Sequence, residues 1–319
     1  MDCASPSPRN TVPIGRHHHG PLELDLDKLL AGRLLIQGSS GAGKSATLRR
    51  IIEEAFEYIT TVIVDPEGEF SNLAAHIGAT TISAAALTVE GMTAAAVKSR
   101  EHRIALHIDL SDLDPEDRII KAAAFFAGLM STPAHLWKNT MLVCIDEGHL
   151  LAPHLAGRAQ DAETRRLGVA TLTDLCSRGR KRGLATIVAT QRLAKLSASV
   201  TSELLNFLVG LNVFDRDVKR AGDFLGFSAK DAEKLRTLQP GEFYAMGPAL
   251  VAGATLSKID PTITQHTGAT PELIGSADLT TNEADRLLDL QSMRAIETDS
   301  RTSRLTVRGT RALDAFLLD

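Results

Sequence analysis

The eight residues Gly38-Ser39-Ser40-Gly41-Ala42-Gly43-Lys44-Ser45 restrict the folds open to this chain more than any other feature. They fit G-x-x-x-x-G-K-[ST], in which glycines let backbone N–H groups converge on phosphate oxygens. A helix that starts there adds free donors and partial positive charge. The surroundings agree: Leu34-Leu35-Ile36 runs into the loop, and Leu48, Ile51, Ile52 and Ala55 follow at helical spacing. A strand, this loop and a helix in that order predict an α/β sheet with a nucleoside triphosphate, ATP by expectation, at its edge. Lys44 is placed to reach the β- and γ-phosphates and Ser45 to ligate Mg2+. Gly38 through Ala46 would line the nucleotide.

The rest of the chain supports such a sheet. Apolar strands are predicted at 33–37, 61–64, 104–108, 141–145, 185–189 and 207–211, with helical stretches at 45–58, 115–129, 161–178, 199–205 and 216–225. Alternation of this kind argues for a mainly parallel sheet covered on both faces. The 319 residues suffice for one large domain with appendages, and with 44% hydrophobic but only 4% aromatic residues its core must be mostly aliphatic. Residues 1–12 read as a disordered tail, and His17-His18-His19 as a tag remnant, with metal binding the lesser alternative. Beyond Gly241 a strand pair is predicted at 243–246 and 249–254. Loop follows over 259–281, then a helix at 282–296, a short strand at 304–307 and a last helix at 310–318. The expected domain runs from 13 to 260, with a C-terminal extension at 261–319.

Net charge of −4 removes any global basic excess, so nucleic-acid contact would have to come from local patches. Cys3, Cys144 and Cys176 are scattered and fit a reducing cytoplasm. No apolar run approaches the ~18 residues of a membrane span, so no membrane partner is expected.

A phosphate loop needs a carboxylate for its metal ion and another group to activate water. Two apolar strands end in Asp, at Asp109 and at Asp146, but only Asp146 is followed by a second acid, Glu147. The pair can divide the work: Asp146 orients Mg2+ and Glu147 polarises the attacking water. Asp109, followed by Leu110 and Ser111, reads as a strand-end turn or helix cap. Asp65, opening Val64-Asp65-Pro66-Glu67-Gly68-Glu69-Phe70, falls at a strand end near the nucleotide. Gln191, in Ala189-Thr190-Gln191-Arg192, can sense the γ-phosphate. The run Arg178-Gly179-Arg180-Lys181-Arg182 is either a solvated helix end or the source of an arginine finger.

These motifs together resemble the HerA/FtsK superfamily of hexameric DNA-translocating ATPases, the HerA branch foremost. GSSGAGKS, VDPEGEF, LVCIDEGHLLAP, GRKRG and IVATQRLAKLSASV occur in that order, and LQPGEFYAMG is similar to the strand-turn that closes the HerA core. The resemblance spans about residues 13–260, and DPEGEF and ATQR are more specific than the phosphate loop. It implies a RecA-like core in a ring of six. Arg180 would be the finger lent to the neighbouring subunit, with Arg178 the runner-up. HerA proteins carry an N-terminal β-barrel; about thirty residues before the loop are too few for one, so a partner nuclease or other effector would dock elsewhere. DEGH replaces the usual DEAH, a change expected to leave the chemistry intact. Rings of this kind pass double-stranded DNA through a pore. Candidate loops are Pro153–Arg166, with His154, Arg158, Arg165 and Arg166, and Arg192–Ser199, with Arg192 and Lys195; neither contains an aromatic residue, so contact would be to phosphate.

The leading expectation is an ATP-driven motor on duplex DNA, serving end processing or phage defence. A conjugation, secretion or packaging pump is a related alternative. A ring scaffold that binds ATP to organise an effector is a third, separated from a motor by triplex displacement. A small-molecule kinase leaves ATQR and GRKRG unexplained.

Overall fold

Strand β3 (Leu34–Gln37) has all four residues buried, which only a central position between two helical layers permits. The computed structural model describes residues 10–154 and 161–265. These belong to a unit of residues 1–269, separate from a second unit at 270–319. The other strands are β1 (Thr11–His17), β2 (Gly20–Asp25), β4 (Thr60–Asp65), β5 (Thr80–Ser83), β6 (Leu106–Asp109), β7 (Met141–Ile145), β8 (Leu184–Thr190), β9 (Asn206–Val209), β10 (Glu242–Met246) and β11 (Thr255–Ile259). The helices are α1 (Leu26–Gly32), α2 (Lys44–Ala55), α3 (Ser71–His76), α4 (Val89–His102), α5 (Pro115–Met130), α6 (Gly148–Leu151), α7 (Ala162–Arg178), α8 (Ala198–Thr201), α9 (Asp215–Leu225) and α10 (Ala229–Ala232).

All eleven strands form one sheet in the order β2-β1-β11-β10-β9-β3-β8-β7-β4-β6-β5. From β9 to β5 the pairings are parallel, and from β9 to β2 antiparallel. Alternation along each parallel strand splits the core into two layers. Leu35, Val62, Val64, Val143 and Val188 share one layer with Phe125 and Phe126 of α5. Leu34, Ile36, Ile63, Leu142 and Ile187 share the other with Ile51 and Ile52 of α2. The registers Gln37↔Thr190 and Ile145↔Val188 bring the C-terminal ends of β3, β8 and β7 to one sheet edge. Ligands of open α/β sheets bind at such edges.

Four expectations need correction. Thr11 and Val12 are not tail but the start of β1, and buried Val12 and Ile14 face inward with Leu22 and Leu24 of β2. The histidine triplet closes the β1–β2 hairpin, with the His19 N–H donating to His17 Nδ1 at 3.2 Å. The partner of β10 is Thr255–Ile259; residues 249–254 are the connection, turned at Gly247 with φ +128°. Helix α4 has no counterpart among the predicted helices: its small alanines give no apolar stripe, but Thr88 caps it by accepting from Gly91 N at 3.0 Å. The elements expected beyond residue 281 lie outside the described residues.

Residues 261–265, assigned by sequence to the extension, are strapped across α2. Buried Glu53 accepts from Ile263 N at 2.9 Å, Thr264 N at 2.8 Å and Thr264 Oγ1 at 2.6 Å. Arg49, one turn earlier and fully buried, donates to Thr264 Oγ1 at 3.2 Å, to Asn72 Oδ1 at 2.8 Å and to the Glu69 carbonyl. The helix that starts at the phosphate loop is thereby tied to the end of the DPEGEF loop and to the strap. Hydrogen bonds to a buried charged acceptor contribute ~1.5–3 kcal/mol, so Glu53→Ala should lower unfolding free energy by about that amount in urea melts. An unchanged midpoint would show that the strap adds nothing.

Candidate nucleotide-hydrolysis site

The phosphate loop joins β3 to α2 and is gripped from two sides. Ser39 N donates to Leu211 O at 2.7 Å, and Ser39 Oγ accepts from Val213 N at 3.1 Å. On the other side Gly241 N donates to Ala42 O at 2.9 Å, seating the turn of LQPGEFYAMG against the loop. Gly43 has φ +94°, and a Cβ there would lie 3.0 Å from Gly241 N, so both conformation and space require glycine. Beneath the loop, buried Gln37 and Asn212 exchange amide hydrogen bonds of 2.6 and 2.7 Å. That pair escapes sequence reading because its members lie 175 residues apart.

The acids converge on this loop from β7. Strand β8 lies between β3 and β7, so Gln191 stands between the phosphate loop and the Asp146-Glu147 pair. Lys44 Nζ lies 3.5 Å from Glu147 Oε1. Glu147 Oε2 accepts from Gln191 N at 3.0 Å and lies 3.0 Å from His149 Nδ1. Burial alone would raise the Glu147 pKa, but the His149 hydrogen bond and the Lys44 charge outweigh it and hold the group below its ordinary value. Glu147 also sits at φ +41°, a left-handed conformation that costs a non-glycine residue energy.

Asp146 is the opposite case. Burial first, then the adjacent Glu147 charge, push its pKa well above the ordinary range. Its Oδ1 is buried without a hydrogen-bond partner. A desolvated, unpartnered carboxylate oxygen beside a phosphate loop fits a divalent cation. Asp146 and the Ser45 hydroxyl are the residues that would hold Mg2+.

Asp65, expected near the nucleotide, is hydrogen-bonded within its own loop. Its Oδ1 accepts from Glu67 N at 3.2 Å and Gly68 N at 2.8 Å, and its Oδ2 from Phe70 N at 2.9 Å, with His107 Nε2 also at 2.9 Å. Both oxygens accept amides of the DPEGEF loop and so shape it. Burial opposes its ionisation, yet these bonds, His107 foremost, leave its pKa lowered. The acid of this loop that senses the site is Glu67. Burial and then the charges of Glu147 and Glu69 raise its pKa, while His149 and Lys44 pull it back. The signal for His107 is present in the sequence: a lone histidine inside the apolar strand Leu106–Asp109. Asp109 closes a strand-end turn, accepting from Ser111 N at 2.9 Å and Ser111 Oγ at 2.7 Å.

Arg178 and Arg180 are exposed and precede β8, at the sheet edge opposite the phosphate loop. Seven residues of β8 span about 20 Å at ~3.3 Å each, which removes both from their own site. Arg178 pairs with Asp174 at 2.8 Å. Arg182 bonds Met130 O at 2.6 Å and covers the Trp137 ring. The Arg180 guanidinium has no hydrogen bond or ion pair among the described residues, although its carbonyl accepts from Gly183 N at 3.1 Å.

The candidate DNA loops meet each other. His154 N donates to Lys195 O at 2.6 Å. His154, Arg165 and Lys195 line a cleft of 490 Å³ whose wall includes His149. Arg158 lies outside the described residues. Arg192 is not simply solvated: its guanidinium stacks 4.0 Å over Phe214, an aromatic contact that loop composition does not reveal.

Comparison with known proteins bears on the fold that carries this site. Residues 12–123 match the family model of the central domain of helicase HerA. No curated protein matches the chain. The fold is similar to VirB4 of Thermoanaerobacter pseudethanolicus, at 14% identity and TM-score 0.59, covering 82% of this chain and 99% of that one. It is also similar to the pCW3 conjugation coupling protein TcpA, solved as a monomer with ATPγS, at 16% identity and TM-score 0.50, covering 81% and 68%. The cytoplasmic domain of the type VII secretion ATPase EccC of Thermomonospora curvata matches at 20% identity and TM-score 0.50, covering 85% of this chain and 31% of that one. Among the described residues no helix is long and apolar enough to cross a membrane.

The site yields two expected outcomes. Asp146→Asn should stabilise the nucleotide-free protein in denaturant melts. The folded-state pKa of Asp146 is raised, so rising pH removes its proton from the unfolded chain first and weakens the wild type. The difference should vanish near pH 3 and grow above about pH 4; a difference independent of pH would contradict the assignment. Gly148→Ala should cost ~1–3 kcal/mol by overpacking, because its Cβ would stand 2.5 Å from Val188 Cγ1. Adding Val188→Ala should recover part of that loss.

Proposed function

We propose that this chain hydrolyses ATP as a hexameric motor translocating double-stranded DNA, coupled to a partner nuclease in end processing or defence. The observation that carries this reading is the Glu147 carboxylate, held ionised 3.5 Å from the phosphate-loop lysine. Binding-only proteins have no need of a buried, charged base there.

The steps derive from the side chains. The γ-phosphate draws Lys44 away from Glu147, which frees Oε1 to face the attacking water. Glu147 accepts a proton from that water as its oxygen bonds to the γ-phosphorus, and the bond to the β-phosphate oxygen breaks to leave ADP and phosphate. Mg2+, held by Ser45 and Asp146, would neutralise charge on the β- and γ-oxygens. Gln191 is joined to Glu147 through its main-chain N–H, so loss of the γ-phosphate would be felt at the end of β8. Arg180 lies on the far edge of its own sheet and would complete the site of the next subunit, a head-to-tail contact that closes a ring. His154, Arg165 and Lys195, and Arg192 on its Phe214 support, would bear on DNA phosphates, with affinity falling steeply in salt.

Glu147→Gln should bind an ATP analogue like the wild type and lose hydrolysis about a hundredfold or more. Subunit mixing tests the finger. Lys44→Ala and Arg180→Ala proteins should each be inactive, yet an equimolar mixture should recover up to about a quarter of wild-type turnover, because that share of interfaces pairs an intact site with an intact finger. A mixture no more active than its components would remove Arg180 from this role. Triplex displacement with ATP distinguishes translocation from a ring that only binds.

A further inference from the structure

The two oxygens of Glu147 have different surroundings. Among the described residues Oε1 meets the Lys44 ammonium alone, at 3.5 Å, a contact that nucleotide phosphates would compete for. Oε2 is fixed by the Gln191 N–H at 3.0 Å and approached by His149 Nδ1 at 3.0 Å. One oxygen is therefore left for chemistry while the other anchors the group. Of the two anchors, Gln191 N is main chain and cannot be tuned by substitution. The imidazole can.

We propose that His149 is a positioning residue for Glu147, holding Oε2 through Nδ1–H so that Oε1 stays aimed at the attacking water. The inference rests on the ATPase reading above. His149 is suited to this task. It is buried, and its Nδ1 also lies 3.0 Å from Thr190 Oγ1, the last residue of β8. Oε2 already accepts the Gln191 N–H and offers an acceptor lone pair towards the imidazole, so the pairing calls for Nδ1 to carry the proton. Thr190 Oγ1 in turn accepts from Arg192 N at 3.2 Å. The imidazole thus joins the Walker-type acid at the end of β7 to the Thr190-Gln191-Arg192 segment at the end of β8. The Glu147 backbone is held at φ +41°, a strained conformation that persists only where surrounding contacts fix it. On its other side His149 borders the cleft of His154 and Lys195, so displacement of the ring from there would misalign the base.

The test compares His149→Ala, His149→Asn and His149→Gln in steady-state hydrolysis by the full-length protein. Misplacing a catalytic group by about 1 Å costs up to ~100-fold. Ala should therefore lower kcat by about tenfold to a hundredfold with KM within about threefold. Asn places an amide donor where Nδ1 stands and should restore kcat to within about threefold of wild type; Gln, reaching toward the Nε2 position, should not. Unchanged kcat in Ala, or Asn as poor as Gln, overturns the proposal. If Ala does not fold, the Asn–Gln comparison decides alone. Nitrogen-15 NMR of the nucleotide-free protein supplies a readout without turnover. The His149 Hδ1 signal should be present and should shift in Glu147→Gln; an Nε2–H tautomer overturns the proposal. A wild type that fails to hydrolyse ATP, yet shows that signal, would sink the ATPase reading and leave the contact standing.

Discussion

Everything at this site depends on how one buried carboxylate is kept charged. Glu147 sits at the end of β7, where burial favours protonation, and it remains ionised because Lys44, His149 and the Gln191 N–H surround it. Each of those groups arrives from a different segment: the phosphate loop, helix α6 and the end of β8. For the adjacent Asp146, burial and then the Glu147 charge outweigh the pull of Lys44, and its proton affinity is raised instead. Two neighbouring acids in one buried setting thereby have their proton affinities driven apart, as the proposed division into base and cation ligand requires.

The sheet makes that arrangement possible. Parallel registers bring the ends of β3, β8 and β7 level, and antiparallel strands β10, β11, β1 and β2 extend the sheet away from the acids. The phosphate loop is then braced by Leu211 and Val213, just beyond β9, and by Gly241 in the turn before β10. Behind it, Arg49 and Glu53 fasten α2 to the DPEGEF loop and the strap. Movement of the helix on nucleotide binding would have to carry both attachments with it.

Much of this is legible in the residues. The strand and helix that flank the phosphate loop and all six predicted inner strands declare themselves through local pattern, because each depends on contiguous residues. The features that escape depend on distance or on small residues. The Gln37–Asn212 pair and the His149–Glu147–Gln191 cluster join segments far apart in sequence. Helix α4 is built on alanines, and the β1–β2 hairpin hides behind a histidine triplet that suggests a tag. Asp65 shows a limit of local pattern: a strand-end acid can face a ligand or satisfy its own loop, and its bonds to the Glu67, Gly68 and Phe70 amides emerge only from the fold. Gly148 reads as a tolerated departure from DEAH; Val188, packed against it, makes it a requirement.

Electron microscopy of the purified protein with an ATP analogue, Mg2+ and duplex DNA tests the central claim most directly. The account predicts a closed ring in which Lys44 has left Glu147 for the phosphates, Oε2 of Glu147 still contacts His149, and Arg180 of the adjoining subunit approaches the γ-phosphate. Lys44 still paired with Glu147 over a bound analogue, or Arg180 directed to solvent in a fully active monomer, would contradict it.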